Sequence, residues 1–178
     1  MLKDARSEAE KDTENLRKLE VYFHDCLLKA KLPGIKQNDI VQIKAPHFLP
    51  EVISPDVGDL AVTSFANISS GGKKSLFKCC FALAIHRLAV NINAVLPTIM
   101  IIDSPMKNIS ERENRVQFEG FHKLLYELAE SELKSTQFIL IDKEFCAPST
   151  DFNVSLSTRH MTPEEDENPP LVRYYRGH

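Results

Sequence analysis

The fold is decided by one stretch, Ile68-Ser69-Ser70-Gly71-Gly72-Lys73-Lys74-Ser75, which leads directly into an apolar run from Leu76 to Ile85. Adjacent glycines let the backbone approach a ligand closely and adopt angles that other residues avoid. The first turn of a helix carries unpaired N–H groups and a partial positive charge, which suit a phosphate group. Ser70 either caps this helix or offers its hydroxyl to an anion. The stretch predicts a helix over residues 73–93 that starts either at an anion site or at a plain cap.

A second motif follows this helix. The run Ile99-Met100-Ile101-Ile102 is continuously apolar, which is typical of a central strand covered on both faces. Asp103 stands at its carboxyl end, where open α/β sheets bind ligands. A helix over 114–133 and a strand over 136–141 come next, and Asp142 ends that strand. Strand, helix and strand in this order predict a βαβ unit with parallel strands.

Composition bounds the class of protein. The 178 residues suffice for one domain, or one lobe of a larger one, and 43% of them are apolar. A net charge of -3 argues against a chain that coats nucleic acid by charge alone. The sequence has no signal peptide and no apolar run of membrane-spanning length. Its four cysteines form no Cys-x-x-Cys pair, which favours buried, reduced thiols in a cytoplasmic protein.

The first part of the chain predicts a long helix. Charged residues dominate residues 1–20, while Leu16, Leu19, Phe23 and Leu27 recur at spacings of three and four. Such a helix is exposed at its start and docks on a core at its end. It is either a solvated helix face or the last turns of a coiled-coil arm. We therefore divide the chain into a helical lead-in, 1–31, and a lobe, 32–178.

Three short strands are predicted between this lead-in and the Ser-Gly-Gly stretch. They cover residues 40–43, 48–53 and 60–65. Pro50 lies inside the second strand and favours an edge position, because proline cannot donate to a neighbouring strand.

The order and spacing of these motifs resemble the carboxyl-terminal half of an ABC-type ATPase head. The family is that of SMC (structural maintenance of chromosomes) proteins and SbcC-like DNA repair ATPases. Residues 69–73 align with the ABC signature motif and 99–103 with Walker B. Residues 104–110 align with the stretch that runs into the D-loop, and 136–142 with the strand before the H-loop. The resemblance implies an α/β, P-loop NTPase-like lobe with a mostly parallel sheet flanked by helices, and an N-terminal helix from a coiled-coil arm.

The resemblance also implies roles for individual residues. Ser70, Gly71 and Gly72 would contact the γ-phosphate of ATP bound to a second subunit. The full ATP-binding signature, which acts on the second subunit's ATP, is Ser69, Ser70, Gly71, Gly72 and Lys73. Asp103 would hold Mg²⁺ through water, with Ser104 beside it at the catalytic position. Asn108 and Ser110 fall in the D-loop, and Asp142 takes the H-loop position. ATP and Mg²⁺ are the implied cofactors, and a homodimer of heads is the implied assembly.

Three positions depart from the family pattern. Ser104 replaces the catalytic glutamate, and serine is no general base near neutral pH without help. Asp142 replaces the H-loop histidine, and Ser110 replaces the D-loop aspartate. Glu111 or Glu113 is a substitute acid or a first-turn acid of the next helix, and we favour the second interpretation. Hydrolysis is therefore expected to be slow, differently catalysed or absent.

The sequence contains no Gly-x-x-x-x-Gly-Lys-Ser/Thr motif, so it has no P-loop of its own. The simplest explanation is that a P-loop-bearing N-terminal segment of the same protein precedes this lobe. A truncated gene or a split subunit would look the same. We expect no meaningful ATPase activity from the isolated chain. DNA contact is implied by the resemblance only, since no basic stripe runs along the sequence.

Two other classes stay open. A small hydrolase using Asp103, Ser104 and a histidine lacks the Gly-x-Ser-x-Gly elbow around the serine. A purely structural lobe would dimerise without chemistry, and ATP would not change its association.

Overall fold

The described part of the chain is a mixed α/β fold with three α-helices, a short 3-10 helix (Pro55–Val57) and two small sheets. The computed structural model describes residues 2–57, 62–103, 105, 111–142 and 144–161. The helices are α1 (Leu2–Lys29), α2 (Gly71–Asn91) and α3 (Glu111–Glu130). The strands are β1 (Ile40–Lys44), β2 (Leu49–Ile53), β3 (Val62–Ser64), β4 (Ile99–Asp103) and β5 (Gln137–Ile141). No helix in the described ranges is long and apolar enough to cross a bilayer.

The predicted lead-in helix is observed as α1. Its described side chains from Arg6 to Glu14 are exposed, whereas Phe23 and Leu27 are fully buried. Glu20 also accepts a hydrogen bond from the backbone N–H of Ile43 at 2.8 Å, which ties α1 to β1. The assignment of α1 to a coiled-coil arm stays a prediction, as does the domain division at residue 31.

Four phenylalanines join α1, α2 and the loop after β3. The ring centroid of Phe77 lies 4.9 Å from those of Phe23 and Phe65, with edge-on geometry in both pairs. Phe81 lies 5.3 Å from Phe23. Edge-to-face rings add about 0.5–1.5 kcal/mol per pair beyond their buried area. The cluster therefore fixes α2 firmly against α1.

The apolar run of α2 is typical of a helix that is buried on nearly all sides, but the described structure buries only part of it. Leu76, Phe77 and Leu83 are fully buried, but Ile85 and Val90 are exposed. The packed side of α2 meets α1 and the loop after β3 through Phe77. Its apolar residues therefore divide between a packed face and an open face.

The first sheet is antiparallel in the order β1-β2-β3. The strand with Pro50 is therefore the central strand, and the predicted edge position is wrong. The register explains why proline is tolerated there. Pro50 pairs with Ile43 of β1, but β2 pairs with β3 only from Glu51 to Ile53. Pro50 thus lies beyond the stretch that needs hydrogen bonds on both sides.

The second sheet is the parallel pair β4-β5, as predicted, with Ile101 opposite Ile139 and Asp103 opposite Ile141. The other three described strands form the antiparallel sheet. The predicted fold class, with a mostly parallel sheet, is therefore wrong for the described residues. The predicted burial on both faces is also wrong. Met100 and Ile102 are buried, whereas Ile101 is 62% exposed and Ile141 is 40% exposed. In the described structure, other elements cover one face of this pair only.

Helix α3 packs near the end of α1 through a close backbone approach. A Cβ at Gly120 would lie 2.9 Å from the carbonyl oxygen of Lys29. Asn114 has a non-helical φ of -133°, so the regular part of α3 follows this kink. The buried face of α3 then contains Phe118, Phe121 and Leu124. Glycine at 120 lets this face approach α1.

Candidate functional site

The signature-like stretch lies at the N-terminus of α2. Ser70 takes the cap position with extended angles, φ -82° and ψ 125°, and its carbonyl accepts the N–H of Lys74 at 3.0 Å. Its side chain makes no capping hydrogen bond. Ser69, Ser70 and Gly71 are exposed. The sequence left open whether the Ser70 hydroxyl caps the helix or is offered to an anion. In the structure the hydroxyl does not cap the helix.

The same helix start places the two remaining signature residues differently. Lys73 is exposed, and Gly72 is buried inside the first turn. Helix α2 begins at Gly71, two residues before the predicted start at residue 73. The exposed first turn, with its serine and its lysine, has the donors and the charge that suit a phosphate.

Asn67 organises the loop that presents this turn, and sequence reasoning missed it. Its Oδ1 accepts the N–H of Ser64 at 2.7 Å, and its Nδ2 donates to the carbonyl of Val62. The N–H of Ile68 donates to the carbonyl of Ser64 at 3.2 Å. Asparagine favours such side-chain-to-backbone turns, so its place directly before the Ser-Gly-Gly stretch was the available signal.

Arg87 lies within the helix predicted over residues 73–93, but the sequence does not show its role there. It is only 6% exposed and donates to both carboxylate oxygens of Glu132, at 2.6 and 2.8 Å. It also donates to Asp25 at 2.6 Å and lies 4.5 Å from the Tyr22 ring centroid. Burial opposes its charge, but the hydrogen bonds to Glu132 raise the pKa of Arg87 above its ordinary value. One guanidinium therefore joins α1, α2 and the turn after α3.

The two predicted carboxylates lie at the same end of the parallel pair. Asp103 is the last residue of β4, is exposed, and stands opposite Ile141; Asp142 follows β5 and is half-buried. Both carboxylates make interactions within the protein. The structure thus brings Asp103 and Asp142 to one edge, as the parallel register requires. Ser104, Asn108 and Ser110 lie outside the described residues, as do the side chains of Glu111 and Glu113.

The fit of a metal ion is judged from the donor atoms that the described residues offer. Among the described residues, no group of three or more His, Cys, Asp or Glu could hold a metal ion. Asp103 offers one exposed carboxylate. Mg²⁺ keeps several waters and often uses one or two carboxylates plus substrate phosphates, so Asp103 fits a Mg²⁺ ion that arrives with a nucleotide.

The four cysteines are free thiols. Burial raises the pKa of both Cys26 and Cys79 to about 11, and it raises the pKa of Cys80 and Cys146 as well. Since the thiolate is the reactive form, these thiols are poor nucleophiles near neutral pH.

Comparison with known proteins finds similarity among solved structures only. No protein-family model matches the chain, and no curated protein matches it. Among solved structures, it is similar to an Smc head domain from Pyrococcus furiosus, which has an extended coiled coil and is bound to the C-terminal domain of ScpA. The identity is 18%, the TM-score is 0.45, and the match covers 76% of this chain and 31% of that chain. That TM-score is too low for the likeness to define the fold or the site.

Proposed function

We propose that this chain is the carboxyl-terminal lobe of an SMC-like ATPase head. In this proposal it supplies the signature motif and a magnesium-binding carboxylate to ATP held by a P-loop-bearing segment. One observation carries the proposal: the N-terminus of α2 is exposed, and the hydroxyl of its cap residue, Ser70, makes no capping bond. A helix start with a free first turn and an uncommitted hydroxyl is suited to receive a phosphate.

Charge at this turn supports the proposal. The residue after the two glycines is Lys73, which is exposed. The resemblance would place glutamine or glutamate there, so this chain adds a positive charge to the partial charge of the helix start. A lysine at this point attracts the triphosphate of ATP.

The exposed face of β4 and β5 supports the proposal that another segment packs on it. Ile99, Ile101, Ile139 and Ile141 lie on this face and are exposed. Parallel sheets in proteins are almost always covered on both faces. The P-loop-bearing segment of the same protein is the partner that we propose for this face.

The proposed roles of the carboxylates follow from their place at the sheet edge. Asp103 would hold Mg²⁺ through water beside the ATP phosphates, and the ion would neutralise charge on them. Ser104 and Asp142 stand where stronger catalytic groups are expected from the resemblance. The proposed head therefore binds ATP and hydrolyses it slowly or not at all. A cytoplasmic location, a homodimer of heads and contact with DNA belong to the same proposal.

The test reconstitutes the head. The chain is co-expressed with the P-loop-bearing segment read from the flanking coding sequence, and the mass of the assembly is measured by light scattering with and without Mg–ATP. We expect ATP to double the mass, and Ser70→Arg to weaken this association by about tenfold or more, since the long side chain occupies the phosphate position. Ser155→Arg adds the same charge at an exposed position and should leave the association unchanged.

A second candidate is a structural lobe that associates without chemistry, which the exposed apolar face of β4 and β5 also favours. The same measurement separates the two functions. The structural role predicts that the mass of the assembly is the same with and without Mg–ATP and is unaffected by Ser70→Arg. That result would exclude the ATPase role.

A further inference from the structure

His122 is a buried titratable group that the proposed ATPase does not use. It lies on α3 with 1% of its surface exposed. Its ring centroid is 4.3 Å from that of Phe118 and 6.5 Å from those of Phe121 and Tyr126. A charge placed among these rings would lose its water and gain little in return.

One hydrogen bond fixes the tautomer of His122. Nδ1 lies 3.0 Å from the carbonyl oxygen of Phe118. Because a carbonyl only accepts, Nδ1 carries the hydrogen of the neutral ring and Nε2 is left as an acceptor. Nε2 is buried and has no hydrogen-bond partner among the residues that the structure describes. The imidazole therefore has one satisfied nitrogen and one unsatisfied nitrogen.

The chain after β5 packs on the same face of α3. The hydroxyl of Tyr126 donates to the carbonyl of Cys146, and the Tyr126 ring centroid lies 5.8 Å from that of Phe152. The backbone N–H of Asn153 donates to the carboxylate of Glu130. We call residues 144–153 the post-β5 segment. Its attachment to α3 begins one helical turn beyond His122.

Asp142 is the charged group that bears on His122 from the described elements around it. Its carboxylate acts electrostatically on the imidazole from the end of β5. From α1, Lys29 reaches α3 at Glu127, at 3.1 Å, and is paired there. On α3 itself, burial raises the pKa of Tyr126 to about 12, so that phenol stays neutral. In the post-β5 segment, burial raises the pKa of the Cys146 thiol.

Together these effects lower the pKa of His122. Burial lowers the pKa of His122 below its ordinary value of 6.5, while the Phe118 carbonyl and the Asp142 carboxylate oppose the change. The unfolded chain therefore takes up a proton at a higher pH than the folded chain. The stability associated with His122 is complete above a pH of about 6.5 and is lost as the pH falls towards the lower, folded pKa.

We propose that His122 is an acid-sensitive latch for the post-β5 segment. The neutral ring lets residues 144–153 pack on α3, and the protonated ring is expelled towards water and releases them. This inference does not depend on the proposed ATPase function, so each can fail without the other.

The test is a pH titration of the whole chain by NMR. The His122 ring signal and the backbone amides of the post-β5 segment are followed from neutral to mildly acidic pH. We expect the amides to shift with the same midpoint as the His122 ring, below the ordinary histidine value. His47→Phe, at an exposed histidine, is the matched control and should not change that midpoint.

Two variants make the proposal falsifiable. His122→Phe should abolish the acid transition of the post-β5 amides. Asp142→Asn should move the midpoint to lower pH, because it removes the carboxylate that favours the charged ring. The proposal is overturned if the post-β5 amides do not follow His122, or if their transition persists in His122→Phe. If His122→Phe does not fold, an unshifted midpoint in Asp142→Asn overturns it.

Discussion

At the scale of the residue, Arg87 shows how one buried charge joins three elements. Its guanidinium is almost fully buried, while the side chains of Asp25 and Glu132 are 35% and 41% exposed. Removing one partner of a buried ion pair costs roughly 3–5 kcal/mol, because the other charge is left unpaired. Water screens these two carboxylates in part, so the low end of that range applies.

We predict that Arg87→Met lowers the free energy of unfolding by about 3 kcal/mol. Urea unfolding followed by circular dichroism measures the change. Arg115→Met is the matched control, since the pair of Arg115 with Glu119 is exposed and worth less than about 1 kcal/mol. Equal losses in the two variants would show that the Arg87 cluster does not hold α1 and α2 together.

At the scale of the element, the approach of α3 to α1 depends on the absence of a side chain at Gly120. Alanine is favoured over glycine inside a helix by about 1 kcal/mol. Here, however, its Cβ would lie 2.9 Å from a backbone carbonyl, which is not free to move away. We predict that Gly120→Ala destabilises the chain by about 1–3 kcal/mol. A variant that is as stable as the parent chain in urea would contradict this packing.

The two faces of β4 give a further prediction at the same scale. Ile101 is on the open face and Ile102, 7% exposed, is on the buried face. We expect Ile101→Lys to change the stability of the isolated chain by no more than about 0.5 kcal/mol, and to prevent the P-loop-bearing segment from docking in a co-purification experiment. Ile102→Lys should unfold the chain, because it buries an unpaired charge. Normal docking by Ile101→Lys would exclude this face as the docking surface.

At the scale of the whole molecule, local pattern predicted the elements better than their surroundings. The apolar run at 99–102 and the strand at 136–141 were found because a continuous apolar run is a strong local signal. The burial of both faces of these strands was predicted wrongly. The sequence pattern around an apolar residue such as Ile101 is the same whether or not another segment covers it. The pairing of Pro50 depended on where β3 ends, which is a property of the register and not of the residues near the proline.

In the candidate site, too, local pattern identified some residues and missed the contacts of others. The glycines of the signature-like stretch and Asp103 were recognisable, because each stands at the end of an element whose pattern is clear. Arg87 was placed on a helix but not in its cluster, since its partners Asp25 and Glu132 are far away in sequence. Contacts of this kind are fixed by tertiary packing, which a single sequence does not display.

The central claim concerns Ser70, and the inert native thiols allow a direct test of it. Ser70→Cys is introduced into the head reconstituted with its P-loop-bearing segment, and the rate of maleimide labelling is measured with and without Mg–ATP. Burial raises the pKa of the four native thiols, so their background labelling is slow. We predict that Mg–ATP slows labelling at position 70 by about tenfold or more, and that Ser155→Cys labels at the same rate in both conditions. An unchanged labelling rate at position 70 would contradict the proposal that this turn closes on ATP.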